Sequence, residues 1–236
     1  MYKMRCGFFL YIALMLLSAC AMGPRNLQIN AEVDALAAND VQGKRRFVIL
    51  PANKDIKPQD LQFMEFKGYV EKALLNRGFV KAEQMQDGDA VLFLDYGTGE
   101  PQIRQYSYEV PIMNNFGYYP YYRSYRYYPS MAYGYTQHIE TYTVFKRHLT
   151  LEAYDMAAYL LQKPPVQLWK VSVQSQGQSN DLRLIFPYMV AAMQPYLAAN
   201  TGHKVAVPVD ETDLLLKDIV MNNPHRLPAA SPAPQP

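Results

Sequence analysis

Cysteine is almost missing from this chain: there are two in 236 residues, Cys6 and Cys20, both near the start. Beyond position 20 no thiol is available for a disulfide, a thiolate metal site or a cysteine nucleophile, which removes three families of reading at once. Long hydrophobic runs are missing as well. The apolar stretch Phe8 to Leu17 covers about ten residues, whereas a membrane-crossing helix needs about twenty. Charge of one sign is also scarce, with 23 basic residues against 21 acidic ones. A chain so balanced lacks the basic field by which nucleic-acid binders hold phosphates. Reaction motifs are absent too: there is no Gly-x-Ser-x-Gly elbow, no His-Glu-x-x-His pair and no phosphate-cradling glycine loop followed by Lys-Ser or Lys-Thr. The expectation is a protein that is not an enzyme and that uses no cofactor and no metal.

What is present begins at the N-terminus. Lys3 and Arg5 precede the apolar run, which closes on Leu17-Ser18-Ala19-Cys20. This order resembles a bacterial lipobox, the recognition site of lipoprotein signal peptidase. The resemblance implies cleavage between Ala19 and Cys20 and acylation of Cys20, so that residues 1–19 are a signal peptide and the mature chain is a palmitate-bearing lipoprotein held to a membrane by its N-terminal lipid. An ordinary signal peptide with an accidental cysteine is the alternative. Removing residues 1–19 takes away two basic residues and no acidic one, leaving the two signs balanced. Ala21 after the lipidated cysteine implies sorting to the outer membrane, facing the periplasm, since such lipoproteins are retained in the inner membrane by Asp at that place.

Residues 20–43 are small and polar with scattered apolar side chains, and read as a lipidated N-terminus and tether. At the other end, Pro224, Pro228, Pro232, Pro234 and Pro236 alternate with Ala, Ser and Gln, so residues 213–236 read as a disordered Pro-rich tail. Between them, residues 44–212 carry the periodicities of one domain. Phe47-Val48-Ile49-Leu50 is a short buried strand, and Asp60 to Arg77 is a helix with Phe63, Phe66, Val70, Ala73 and Leu74 on one face and Gly78 as its stop. Gly78 to Lys81 starts a short strand, and Asp89 to Tyr96 reads as a buried one before a Gly97-Thr98-Gly99 turn. His138 to Asp155 alternates apolar and polar side chains over its whole length, as a strand with one wet face does. Val166 to Gln174 follows after a loop over 156–165, then a helix from Asp181 to Ala198, kinked or restarted at Pro187, and a last strand over Lys204 to Val209. The order predicts an α+β fold: a mixed, largely antiparallel sheet with two helices covering one face.

Residues 45–210 resemble a family of uncharacterised bacterial envelope lipoproteins, a domain of unknown function. The pieces that carry the resemblance are the lipobox, Phe47 to Pro51, a Tyr/Gly-rich insertion, Leu168-Trp169-Lys170, Asn180 to Arg183 and Phe186-Pro187. It implies an envelope location and supplies no catalytic residues.

Three features ask for a role. The insertion 117–135 contains Tyr118, Tyr119, Tyr121, Tyr122, Tyr125, Tyr127 and Tyr128 with Arg123 and Arg126, and almost no aliphatic residue. Such side chains can contact headgroups, sugars or a protein groove, or simply pack loosely on the sheet, and they form the candidate interaction surface for an envelope protein or glycan partner, with nucleic acid excluded by the scarcity of cations. Arg147 falls on the apolar side of its strand: either Asp95 or Asp181 pairs with it, or the register breaks and turns it to water, or it holds a ligand. Glu140, Glu152 and Asp155 are the carboxylates through which a competing reading, an enzyme acting on envelope polymers, would work. His138 and His148 lie about 33 Å apart in an extended strand, too far for one metal shell.

Overall fold

The computed structural model describes residues 27–39, 41–113 and 132–225. Eight strands form one mixed sheet: β1 (Gln28–Ala37), β2 (Arg46–Pro51), β3 (Val80–Lys81), β4 (Ala90–Thr98), β5 (Gln102–Met113), β6 (Ala132–Asp155), β7 (Gln167–Gly177) and β8 (Val205–Asp210). Their spatial order is β3-β2-β4-β6-β7-β1-β8, with β5 paired to β6 beyond the end of β4. Only the β2 pairings, with β3 and β4, are parallel. The helices are α1 (Leu61–Asn76), α2 (Met156–Leu160), α3 (Leu182–Met193) and α4 (Leu214–Met221). The α+β architecture expected from periodicity is the one observed.

Alternation explains which face is covered. Leu149, Leu151 and Ala153 of β6, Val171 and Val173 of β7, Val33 and Ala35 of β1 and Leu92 and Leu94 of β4 are buried together with α1 and α3, while the intervening residues face the other side, open to water except where Phe93 packs on Tyr154 and Tyr159 beside α2. Helix α1 starts where Asp60 accepts hydrogen bonds from the Gln62 and Phe63 amides, both at 3.0 Å. It stops at Gly78, whose φ of +79° is the left-handed conformation that closes a helix end. Pro187 sits inside α3, which runs unbroken past it, and Pro195 falls in a 3-10 turn over Gln194–Tyr196.

Four expectations need correction. The supposed tether contains β1, which lies between β7 and β8 in the sheet. Two of its inward residues Ile29, Ala31, Val33 and Ala35 are alanine, so the strand has the composition of a spacer while keeping period two. The supposed tail contains α4, started by Asp213 accepting from the Leu215 amide at 2.8 Å and packed on α1 and α3. The loop after β6 holds α2, capped by Asp155 accepting from the Ala158 amide at 2.8 Å. Finally, Ala132 to Tyr135 belong to β6, so the insertion's last residues are strand.

Gly68 shows how α4 is docked. A β-carbon there would overlap the Asn223 carboxamide, which donates to the Glu65 carbonyl at 2.9 Å. Gly68→Ala improves intrinsic helix propensity, yet the overlap should dominate and cost about 1 to 3 kcal/mol in urea unfolding. An unchanged or higher midpoint would mean that the α4 contact is slack.

Candidate interaction face

Strand β6 is 24 residues long, and only its second half belongs to the helix-covered sheet. From Gln102↔Val144 to Met113↔Ala132 it pairs with β5 alone, so a two-stranded ribbon continues beyond the level of Phe145↔Gly177. Pro111 is compatible with β5 because, among the described residues, β5 pairs on one side only. One ribbon face carries Arg104, Tyr106, Tyr108, Val110 and Ile112 opposite Tyr142, Glu140, His138, Thr136 and Gly134. Tyr106 stacks on Tyr108 at 5.8 Å between ring centroids, Tyr108 meets the His138 ring at 5.3 Å, and the Tyr108 hydroxyl donates to Glu140 at 3.0 Å.

This face runs on into the open face of the sheet. Cross-strand pairing places His148, Gln174, Glu32 and Ala206 in one row and Lys146 beside Gln176 in the next. Together with Asn30, Gly99 and Arg104 they line a hollow of about 770 Å³ at the base of the ribbon. Three cations that no carboxylate pairs among the described residues, Arg104, Lys146 and the largely buried Arg147, stand there beside the single carboxylate Glu32. His148 Nε2 lies 3.4 Å from Asp95. The arrangement offers amide, ammonium and guanidinium donors to an extended polar or anionic group.

The helical layer has a second, mostly apolar depression of about 600 Å³, lined among others by Tyr69, Leu184, Pro187, Tyr188, Leu216 and Met221. At its side Glu65, 3% exposed, accepts from Arg183 Nε at 2.8 Å and from the Tyr69 hydroxyl at 3.2 Å.

Of the three carboxylates named for a catalytic alternative, Glu140 is far from the other two, and Glu152 and Asp155, three residues apart on β6, are each tied to a different lysine. Glu140 is on the ribbon under Tyr108, twelve residues along the strand from Glu152, which corresponds to about 40 Å. Glu152 is held below the ordinary carboxylate range by the Lys170 ammonium at 2.7 Å and by the Tyr154 hydroxyl. Asp155 is held low by Lys44 and by the amide it caps. Both folded-state values lie below the unfolded ones, so the stability they contribute is present above about pH 4 and is lost as pH falls through the lowered values. Replacing Lys170 and Lys44 by Met should therefore flatten the loss of melting temperature between about pH 4 and 2. A steeper acid loss in the double variant would overturn that assignment.

Arg147 is buried, 3% exposed, on the helix-covered face where the alternation put it. Neither expected partner engages it: Asp95 faces His148, and Asp181 caps α3 by accepting from the Leu184 amide at 3.2 Å. Its Nε and the hydroxyl of its cross-strand neighbour Ser175 have no hydrogen-bond partner among the described residues. Burial pushes the guanidinium below its ordinary value.

Ala19, Cys20 and the candidate tyrosines and arginines Tyr118, Tyr119, Tyr121, Tyr122, Arg123, Tyr125, Arg126, Tyr127 and Tyr128 lie outside the described residues. The chain through that tyrosine-rich stretch joins β5 to β6 at the outer end of the ribbon. Arg104, Tyr106 and Tyr108 escaped the sequence reading because β5 did, while Tyr142 falls on the wet side of the His138–Asp155 strand as the alternation placed it. The period-two pattern from Gln102 to Ile112 was its available signal. Among the described residues no cluster of His, Cys, Asp and Glu is placed to hold a metal ion, and no helix is long and apolar enough to cross a membrane.

Residues 32–193 match the family described as "Domain of unknown function (DUF4136)". No curated protein matches the chain. Among solved structures, a PDZ domain protein from Parabacteroides distasonis is similar at 12% identity with a TM-score of 0.38, over 78% of this chain and 39% of that one.

Proposed function

The chain belongs to the DUF4136 family, whose match runs from within β1 to the end of α3, and from that premise we propose that it is a lipid-anchored envelope protein acting as a periplasmic interaction module. In this reading Cys20 carries the lipid, Ala21 sends the protein to the outer membrane, and the domain binds an envelope protein or glycan instead of transforming it. The observation that supports it best is the open-face hollow, where Arg104 and Lys146 stand with three amide side chains and no opposed pair of carboxylates. Binding needs convergent donors, which are there; polymer hydrolysis by paired carboxylates needs two of them free within about 10 Å, whereas Glu140 and Glu152 are much farther apart and the neighbouring Glu152 and Asp155 are engaged by Lys170 and Lys44.

Two measurements test the two halves of the proposal. Cells labelled with a palmitate analogue should mark the wild-type chain and not Cys20→Ser, because stable anchoring takes several acyl chains that only Cys20 can carry. Equal labelling of both would remove the lipoprotein reading. A photoreactive residue in place of Gln174 should then capture an envelope component that the same residue in place of Gln84, at the opposite end of the sheet, does not. Identical adducts at both positions would remove the hollow as the binding surface.

A further inference from the structure

The ribbon has an unusual surface. Tyr106, Ile112 and Tyr142 are exposed on one of its faces, and Ile103, Tyr135 and Ile139 on the other, with Ile103 at 71% and Tyr106 at 59%. A strand pair that serves only to present one binding face has no use for isoleucines on its back. Charge does not explain the surface either. Arg104, Glu109 and Glu140 are the only fully charged residues in the two strands of the ribbon, with His138 beside them. One side is largely aromatic and apolar, the other sets Ile103, Ile139, Tyr135 and Pro111 among uncharged Gln, Ser and Thr side chains and Glu109, and such an amphipathic, nearly neutral surface suits the headgroup layer of a bilayer.

Where the chain enters the sheet decides what this surface can reach. Ala31 stands opposite Ser175, and Ser175 opposite Arg147, so β1 begins level with Phe145, at the end from which the ribbon emerges. From Cys20 to Leu27 there are seven residue steps, which reach at most about 25 Å when fully extended. The sheet from Phe145 to Asp155 is ten steps, about 33 Å. A tether of that length cannot pass along the sheet and place the far end against the membrane. Its attachment end must face the bilayer. The ribbon leaves the same end and is about 40 Å long from Val144 to Ala132, longer than the tether that sets the standoff.

From these lengths we propose that the β5–β6 ribbon lies in the headgroup layer of the membrane that holds the anchor, so that its partner is a lipid surface. This rests on acylation of Cys20. The ribbon fixes the orientation of the domain, leaving the hollow at its base open to the periplasm close above the membrane.

The test uses the processed, acylated chain beginning at Cys20, which has no free thiol, in vesicles of phosphatidylethanolamine and phosphatidylglycerol. Single substitutions Tyr106→Cys, Ile139→Cys and Lys163→Cys, each labelled with an environment-sensitive fluorophore, report on the two ribbon faces and on the far end. Labels at 106 and 139 should shift to the blue and lose roughly half of their emission to headgroup-level nitroxide lipid, at low and high salt alike, while the label at 163 should not respond. Vesicle-bound protein with all three labels unquenched would overturn the ribbon proposal and leave the anchor standing. Protein that fails to float with vesicles would overturn the anchor and this proposal with it. A blue shift at 106 that persists without vesicles would assign the ribbon to contact between copies instead, and quenching abolished by salt would show an electrostatic association that the ribbon's charge does not provide.

Discussion

Trp169→Ala is expected to lower the stability of the domain by roughly 3 to 5 kcal/mol. Trp169 is 2% exposed and sits on β7 between Ala37 of β1 and Ala153 of β6, two residues too small to refill the space. The ring is closed over by Phe79, 6.1 Å away between centroids, which the Gly78 turn brings down from the end of α1. Truncation therefore leaves a cavity between Ala37, Ala153 and Phe79, with small strand neighbours that cannot refill it. For a domain of this size the melting temperature should fall on the order of 10 °C. Trp169→Phe should fall much less, because the indole nitrogen has no hydrogen-bond partner among the described residues and only volume is lost. As the single tryptophan, Trp169 also reports on itself. A fluorescence maximum typical of water, with both variants as stable as the parent, would place it on the surface.

Much of this core was legible because its signals are local. The Phe63, Phe66, Val70, Ala73 and Leu74 stripe repeats at helical spacing, and Leu149, Leu151 and Ala153 alternate, so each element announces its buried face without its neighbours. The elements that were missed hide behind composition. In β1 two of the four inward side chains are alanine and the outward ones include Asn30, Glu32 and Asp34, so a central strand has the average character of a linker. Helix α4 has an apolar Leu214-Leu215-Leu216 start, but the prolines that follow dominate the segment as a whole. β5 was obscured by Pro111, which argues against an interior strand and says nothing against one paired on a single side.

The candidate site was less legible than the fold for a different reason. Lys146, His148 and Glu152 were recognisable as the polar side of one strand, and they are. The hollow exists because Gln174, Glu32 and Arg104 come to the same place from β7, β1 and β5, and cross-strand register is not written in any one of those segments. The exposed ribbon depended on β5 in the same way, since half of β6 reads as an ordinary sheet strand until its only neighbour is known.

Arg147 leads to the second large effect, in the opposite direction. Arg147→Met is expected to stabilise the domain by about 1 to 3 kcal/mol, because it removes a buried guanidinium with no counter-charge among the described residues and keeps an unbranched apolar stem of similar reach. Its neighbours prepare the space: Leu149 is on the same face, and Gly177 has no side chain where the guanidinium lies across it. Gly177→Ala tests the same packing from the other side and should destabilise, since a β-carbon there would collide with the guanidinium. In the Arg147→Met background the alanine should be tolerated much better, giving a coupling between the two positions in a double-mutant cycle. If Arg147→Met instead lowers the melting temperature in proportion to a loss of captured partner, the guanidinium is held ready for an anion that enters from outside the chain. A loss of stability with binding intact would mean that the aliphatic stem of Arg147 contributes more by packing than its charge costs by burial.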